Sequence, residues 1–179
     1  MLEIEKKYRL SRERWDEIAA SLNAIGANFV GEDFEENTIY GGEALDRTGG
    51  IVRIRKTQDR ALLTFKRRVE NQTDVKQQIE HETEVSDIDA VAQILIELGL
   101  SPKLIYEKRR KTWRLRSTEI VLDVLPFGLF MEIEGSITAI KEAEMLLGIE
   151  NLETEHETYP RLTSRLGRQV GDKIEARFS

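Results

Sequence analysis

Charged side chains of one sign recur at every second position in several short stretches of this chain. In an extended strand, residues i and i+2 point the same way about 7 Å apart, so each stretch presents like charges on one face. Paired carboxylates can hold a hard divalent cation such as Mg²⁺ or Mn²⁺, and paired lysine and arginine side chains can hold phosphate oxygens. The acidic sets are Glu3 and Glu5, then Glu80, Glu82 and Glu84, then Glu132 and Glu134. The basic sets are Arg53 and Arg55, Lys66 and Arg68, and Lys108 and Arg110.

The elements that position these charges follow from the periodicity of apolar residues. The first stretch alternates, with Lys6 as the one polar residue on its apolar face. Period-two patterns predict strands over residues 2–10, 28–40, 51–57, 61–69, 76–85, 105–116, 120–125 and 129–135. Helical spacing predicts helices over residues 11–25, 86–98 and 139–147, and a further helical region from about residue 155 to the end.

The order of these elements predicts the fold class. The strands follow one another mostly as hairpins, which makes the sheet antiparallel. An antiparallel sheet of about eight strands can close into a barrel wide enough for side chains or one small ligand. We therefore predict an α+β fold, an eight-stranded antiparallel closed β-barrel with helices packed outside, in a single domain over residues 1–179.

The predicted barrel decides which way the charges face. A sheet with one solvated face also alternates charged and apolar residues, so no single pair is decisive. A solvated face, however, normally mixes in Ser, Thr, Gln and Asn, whereas these stretches repeat charge and keep one sign. If the amphipathic helices cover the apolar face, the charges line the lumen, where they are costly unless they are paired or bind an ion or ligand.

Composition excludes several classes of function. The 179 residues carry a net charge of −6, which argues against a general nucleic-acid-binding or anionic-membrane surface. There is no cysteine and there are two histidines, so any metal is expected to be a hard cation held by carboxylates. The first ten residues lack the apolar core of a signal peptide and no apolar run approaches a membrane span. We therefore expect a cytoplasmic protein.

The amino-terminal motif Glu3-Ile4-Glu5-Lys6-Lys7 resembles the Glu-x-Glu-x-Lys signature of the CYTH, or triphosphate tunnel metalloenzyme, superfamily. That superfamily includes class IV adenylyl cyclases, thiamine triphosphatases and inorganic triphosphatases. Later family motifs are matched in order by Arg53-Ile54-Arg55, Thr64-Phe65-Lys66, Glu80-His81-Glu82, Glu107-Lys108-Arg109-Arg110, Leu122-Asp123, residues 130–135 and His156-Glu157-Thr158-Tyr159. The chain departs from the family at Gln78, where many members have an arginine that Lys76 could partly replace, and at Tyr40-Gly41-Gly42.

The resemblance implies a role for each charged set. Mg²⁺ or Mn²⁺ would be held by Glu3, Glu5, Glu132 and Glu134, with Asp123 either a further ligand or a structural salt-bridge partner. The triphosphate would be bound by Lys7, Arg53, Arg55, Lys66, Arg68, Lys108 and Arg110, of which Lys66 and Arg55 are the predicted catalytic residues. Behind these, Glu80, Glu82 and Glu84 would fix the basic side chains or, for Glu82 especially, reach the metal. We expect His81 to lie outside the barrel, and Tyr40 and Tyr159 to be packing residues.

The predicted function is divalent-metal-dependent processing of a small-molecule triphosphate, most simply hydrolysis of tripolyphosphate, thiamine triphosphate or a nucleoside triphosphate. Conversion of ATP to cyclic AMP and pyrophosphate by a class IV adenylyl cyclase is one alternative. A binding module that holds a polyphosphate without turnover is another. The sequence leaves the oligomeric state open, a homodimer included.

Overall fold

The computed structural model describes residues 2–69 and 76–179, and within them ten strands and five helices. The strands are β1 (Leu2–Leu10), β2 (Asn28–Gly41), β3 (Gly50–Lys56), β4 (Ala61–Val69), β5 (Lys76–Glu84), β6 (Ser101–Leu115), β7 (Thr118–Leu125), β8 (Gly128–Glu134), β9 (Arg168–Val170) and β10 (Lys173–Ala176). The helices are α1 (Arg12–Ala24), α2 (Glu43–Thr48), α3 (Ile88–Glu97), α4 (Ile137–Leu147) and α5 (Tyr159–Leu166).

Eight of the strands form a closed ring. The order around it is β2-β3-β4-β5-β1-β8-β7-β6, and a pairing between β6 and β2 closes it. All eight neighbouring pairs in this ring are antiparallel. The predicted ring-closed sheet with helices outside is therefore confirmed. Because side chains alternate across a strand, each strand sends one set of residues into the ring and the other set outward.

The outer face of the ring is apolar and is covered by helices. On α1, Trp15, Ile18 and Leu22 recur at helical spacing and are buried, and the Ser11 side chain caps the helix by accepting a hydrogen bond from Arg14 N. With residues of α4, they pack on outward-facing side chains of β1, β6, β7 and β8, among them Ile120. In the described residues, no helix is both long and apolar enough to span a membrane.

Lys6 is the one polar residue on the apolar face of β1, and it has a partner on this outer face. Its ammonium nitrogen lies 2.7 Å from Glu144 Oε1 of α4, and the Tyr8 hydroxyl donates to the same oxygen. Tyr8 is fully buried and Glu144 is nearly so. We call these three residues the outer polar cluster. It shows why a lysine is tolerated on an otherwise apolar strand face, since its charge is matched by a carboxylate.

The region after α4 differs from the predicted helix. Only α5 is helical there, and Gly167 ends it. β9 and β10 then form a hairpin whose turn contains Gly171 at a φ of +61°, a conformation that favours glycine. β10 adds to the ring by pairing in parallel with β6. The prediction of a wholly helical carboxy-terminal region was therefore wrong.

The segment that precedes α5 is attached to β1. Tyr8 forms an isolated bridge with Thr154, and Glu155 N donates to the carbonyl oxygen of Lys7 over 2.8 Å. The Thr158 side chain then caps α5 by accepting from Arg161 N. These contacts bring the first turn of α5 against the inward-facing side of β1.

Candidate functional site

The ring encloses a cavity of about 620 Å³, which we call the tunnel. Its wall is dominated by charged side chains that the antiparallel registers bring together from seven of the eight ring strands. The basic residues are Lys7, Arg53, Arg55, Lys66, Lys108 and Arg110. The acidic residues are Glu3, Glu5, Glu80, Glu82, Glu119, Glu132 and Glu134. The charged faces of the strands thus form the interior surface.

Glu35 on β2 lies behind the basic part of the wall. Its carboxylate is 3.1 Å from Lys108 Nζ and 3.5 Å from Arg55 Nε, and Asn37 donates to it over 3.2 Å. Burial alone would raise its pKa, but Lys108, Arg55 and Arg110 outweigh burial and hold the pKa of Glu35 well below its usual value. Glu35 is therefore an anion that keeps three cations together inside the ring.

Arg53 and Arg55 of β3 both border the tunnel, and Arg53 has a donor without an acceptor. Arg53 donates through Nη2 to Thr64 Oγ1 over 3.3 Å and lies 3.6 Å from Glu82. The Nε groups of both are buried; that of Arg55 forms an ion pair with Glu35, whereas that of Arg53 has no hydrogen-bond partner in the described part of the chain. Burial and the neighbouring charge of Arg53 lower the pKa of Arg55. Buried donors without acceptors are costly, so this wall is suited to an anionic ligand.

Asp123 ties Arg110 into the wall. Arg110 donates to both carboxylate oxygens of Asp123, over 2.7 and 2.5 Å, and reaches Glu132 over 2.7 Å. Asp123 is fully buried and also accepts a hydrogen bond from the Tyr159 hydroxyl over 2.9 Å. Its second basic neighbour is Lys108, at 3.5 Å. Burial and the charge of Arg110 lower the pKa of Lys108 to about 8.

Lys7 lies beside Tyr159, the first residue of α5. Its ammonium nitrogen is 3.9 Å from the centre of the Tyr159 ring, 3.2 Å from Glu132 and 3.2 Å from the carbonyl oxygen of Glu157. Lys108 Nζ lies 5.5 Å from the same ring centre. Tyr159 therefore contacts both lysines, which places it in the tunnel wall and not only in the packing that was predicted for it.

Lys66 connects the basic wall with the carboxylates near the amino terminus. It is 2.8 Å from Glu3 and 2.7 Å from Glu80. Gln78, the position at which many family members carry arginine, donates to Glu3 over 2.7 Å. Burial and a hydrogen bond with Glu80 raise the pKa of Glu3, while the pKa of Glu80 is lowered.

Glu134 marks the most acidic part of the tunnel. It lies opposite Glu5 on β1 and opposite Glu119 on β7. Burial and the charges of Glu3 and Glu119 raise the pKa of Glu134 to about 7. Carboxylates that repel one another in this way gain from a bound cation.

The donor set near Glu134 suits a hard divalent cation. It offers carboxylate oxygens, the ligands that Mg²⁺ and Mn²⁺ prefer, and the raised pKa of Glu134 reports repulsion that a cation would relieve. Within residues 2–69 and 76–179, no three acidic or histidine side chains are already arranged as a metal-binding group.

Two predicted residues lie away from the others. Arg68 and Glu84 are both exposed and are not part of the tunnel wall, because Arg68 lies near the far end of β4 and Glu84 is the last residue of β5. His81, expected outside, stacks on Phe65 with ring centres 6.4 Å apart, although it also borders the tunnel. The side chain of Lys76 lies outside the described part of the chain.

Sequence reasoning missed four residues that line or support the tunnel, namely Glu35, Gln78 as a partner of Glu3, Tyr106 and Glu119. Glu119 stands two residues before Val121 and four before Asp123 on one strand face, so strand alternation could have identified it. Tyr106 is fully buried and lies beside Arg53. Tyr106 precedes Lys108 by two residues on β6, so strand alternation could have identified it as well.

The protein is a closed ring of strands around a charged tunnel. Comparison with known protein families identifies the family to which it belongs. The model of the CYTH domain matches residues 1–161, so the chain belongs to the CYTH family. It is 26% identical over 151 residues to "Putative adenylate cyclase MJ0240" of Methanocaldococcus jannaschii, covering 82% of this chain and 84% of that protein.

Solved structures share the fold at lower sequence identity. The PH1012 protein from Pyrococcus horikoshii OT3 matches with a TM-score of 0.76 and 22% identity, over 88% of this chain and 96% of that chain. HpAC1 from Hippeastrum, described as a putative adenylyl cyclase with a dominant triphosphatase activity, matches with a TM-score of 0.67 and 17% identity. That match covers 96% of this chain and 99% of the other. The tunnel fold is therefore shared across distant relatives.

Proposed function

We propose that this protein binds a triphosphate in the tunnel and hydrolyses it with the help of a divalent cation. The observation that carries the proposal is the convergence of basic side chains on one cavity, among them Arg53 and Arg55 of β3. They lie beside Lys66, Lys108 and Arg110 in the same wall. Several convergent cations suit a ligand with many anionic oxygens, because charge-assisted hydrogen bonds are the strongest that a protein makes.

The carboxylates nearest the amino terminus would hold the cation. Glu3, Glu5 and Glu134 are the proposed ligands, with Glu119 close to Glu134. Glu132 and Asp123 are both engaged by Arg110, and Glu3 is engaged by Lys66 and Gln78, so a cation at any of the three would compete with these side chains. When bound, Mg²⁺ or Mn²⁺ would supply charge neutralisation of phosphate oxygens and activation of a water molecule.

The basic wall would supply the remaining electrostatic stabilisation. In phosphoryl transfer, charge is spread over the oxygens of the transferred group, and catalysis depends mainly on positioning and neutralisation. Lys66 pairs with Glu3, one of the proposed cation ligands, at 2.8 Å, so we propose that it contacts the phosphoryl group nearest the cation. Arg55, behind which Glu35 is buried, would hold a neighbouring phosphate.

A second candidate is an adenylyl cyclase that forms cyclic AMP and pyrophosphate from ATP. The name of the Methanocaldococcus jannaschii relative favours it. The tunnel wall also contains Ile39, Ile51, Val121 and Pro160 besides the two buried tyrosines, which offer an adenine ring apolar contacts. We rank hydrolysis first because it requires only a cation and the basic wall, whereas cyclisation also requires that the ribose hydroxyl be positioned for attack.

The test is product analysis by anion-exchange chromatography. The protein is incubated separately with tripolyphosphate, thiamine triphosphate and ATP, each with Mg²⁺, with Mn²⁺ and with EDTA. Orthophosphate that forms with a cation and not with EDTA would support the hydrolase. Cyclic AMP and pyrophosphate from ATP would support the cyclase. Tight binding of a triphosphate without any product would overturn both and leave a binding module.

A further inference from the structure

We infer that Tyr159 is a positioning residue, whose ring holds the Lys7 ammonium in place for the triphosphate. This inference rests on the proposed function. The chemical feature behind it is that an aromatic face attracts a cation without carrying a negative charge. It therefore differs from every carboxylate in the tunnel wall.

The geometry is that of a direct cation–π contact. Lys7 Nζ lies 3.9 Å from the centre of the Tyr159 ring, within the roughly 6 Å over which such contacts act. Both residues are nearly fully buried, so water screens the contact little. Phe130 packs edge-on against the ring at 5.4 Å between ring centres, and Tyr106 lies at 6.2 Å. These neighbours restrict how far the ring can move.

Two further contacts fix Tyr159 from its other side. Its hydroxyl donates to Asp123 over 2.9 Å, and burial together with the charge of Asp123 raises the pKa of Tyr159 well above its usual value, so it remains a donor. The backbone just before it is tied to β1, since Glu155 N donates to the carbonyl oxygen of Lys7. Ring and lysine are therefore held by the same pair of chain segments.

A neutral partner has a specific advantage at this position. Lys7 also lies 3.2 Å from Glu132, but Arg110 competes for that carboxylate at 2.7 Å. A further carboxylate in place of the ring would hold Lys7 equally well, yet it would repel the phosphate oxygens that the wall must accept. The ring orients the ammonium and leaves its full charge for the ligand.

A double-mutant cycle separates this role from simple packing. Tripolyphosphate binding is measured by calorimetry for the wild type, Tyr159→Leu, Lys7→Met and the double variant, with Tyr159→Phe as the control that keeps the ring. We expect Tyr159→Leu to weaken binding about tenfold, in the range of buried cation–π contacts. In the Lys7→Met background we expect about a twofold effect, because only the more distant Lys108, at 5.5 Å, remains beside the ring. Equal losses in both backgrounds would overturn the inference.

If Tyr159→Leu fails to fold, a second measurement tests the same contact by nuclear magnetic resonance. In the wild type and in Tyr159→Phe, the ε-methylene protons of Lys7 are expected to resonate upfield because of the ring current, both before and after tripolyphosphate is added. Loss of the upfield shift on addition of ligand would overturn the inference. If the wild type binds no tripolyphosphate, the proposed function fails, and the spectrum without ligand still tests the contact.

Discussion

Strand β1 carries charged residues on both of its faces, and the two sets are satisfied in different ways. On the outer face, Lys6 meets Glu144 at 2.7 Å, and Tyr8 donates to the same carboxylate. On the inner face, Glu5 and Lys7 belong to a wall in which thirteen charged residues meet across one cavity. The outer set is a closed group within an apolar core, whereas the inner set surrounds open space.

The difference shows which charges serve the fold and which serve a ligand. In the outer polar cluster, one cation and one anion balance. In the tunnel, the buried Nε of Arg53 has no acceptor in the described part of the chain, and the carboxylates around Glu134 repel one another. Both arrangements are unfavourable; an anion would relieve the first and a cation the second.

The largest effect is expected from breaking the outer polar cluster. Glu144→Gln removes the carboxylate charge that Lys6 and Tyr8 share in this largely buried cluster, which should lower the free energy of unfolding by about 3 kcal/mol. The matched control is Glu142→Gln on the same helix, whose exposed ion pair with Arg116 should contribute less than about 0.5 kcal/mol. Chemical denaturation measures both. Similar losses in the two variants, or loss of tripolyphosphate binding by folded Glu144→Gln, would break the comparison.

The next effect concerns the inner face. Arg55→Ala should weaken tripolyphosphate binding about 100-fold, since it removes charge-assisted hydrogen bonds from a buried wall. Its stability should change little, because Glu35 keeps Lys108 at 3.1 Å. The control is Lys56→Ala, the next residue of β3, which is exposed. Calorimetric titration and thermal melting give both quantities, and wild-type affinity in Arg55→Ala would count against the tunnel as the binding site.

A smaller effect follows from the pKa of Lys108, which burial and Arg110 lower to about 8. Lys108 loses its charge as pH rises through that value, so tripolyphosphate affinity should fall about tenfold between pH 7 and 9. Lys108→Arg should flatten this part of the profile.

The same pKa has a consequence for stability. Without ligand, the pKa of Lys108 in the folded protein is about 8, below the value of 10.5 for a free lysine. The unfolded chain therefore binds more protons than the folded protein between pH 8 and 10.5, and the free energy of unfolding should rise with pH between these two values. Denaturation at several pH values measures this, and a fall in stability across the interval would contradict the assignment.

The smallest effect concerns the cation. Because burial, Glu3 and Glu119 raise the pKa of Glu134 to about 7, Glu134 binds a proton at pH 6 and is ionised at pH 8. Mn²⁺ should therefore raise Tm by about 3 °C more at pH 8 than at pH 6. Without metal, the contribution of Glu134 to stability should fall as pH rises from 4.5 to 7.

The matched variant for this prediction is Glu134→Gln, which cannot titrate. It should show the same small Mn²⁺ effect at both pH values, measured by calorimetric melting. A wild type whose response to Mn²⁺ does not change with pH would remove Glu134 from the proposed cation ligands.

The sequence predicted the ring and most of the tunnel wall because both depend on local alternation. Six of the seven predicted basic residues line the tunnel, and Arg68 is the exception. Glu35 was missed because β2 carries polar residues on both faces around it, among them Asp33 and Glu36, so alternation could not tell inside from outside. The direction of the Glu35 side chain is decided only by the pairing of β2 with β6, in which Glu35 lies opposite Lys108.

Tyr159 was predicted as a packing residue, but its place in the tunnel wall was missed, and so was the carboxy-terminal hairpin, for a different reason. The position of Tyr159 depends on contacts with Lys7 and Asp123, which are far away along the chain. In the hairpin, Gly171-Asp172 is a turn signal, but the flanking strands are too short for a clear period. The polar character of residues 168–176 was therefore taken as helical.

The central claim is that the tunnel binds a triphosphate in its basic wall and a cation at its carboxylates. A crystal structure with tripolyphosphate and Mn²⁺ tests both at once, because Mn²⁺ gives an anomalous signal. We expect phosphate density against Arg53, Arg55 and Lys66, and an anomalous peak against Glu3, Glu5 or Glu134. Phosphate density outside the ring, or an empty tunnel at saturating ligand, would contradict the account.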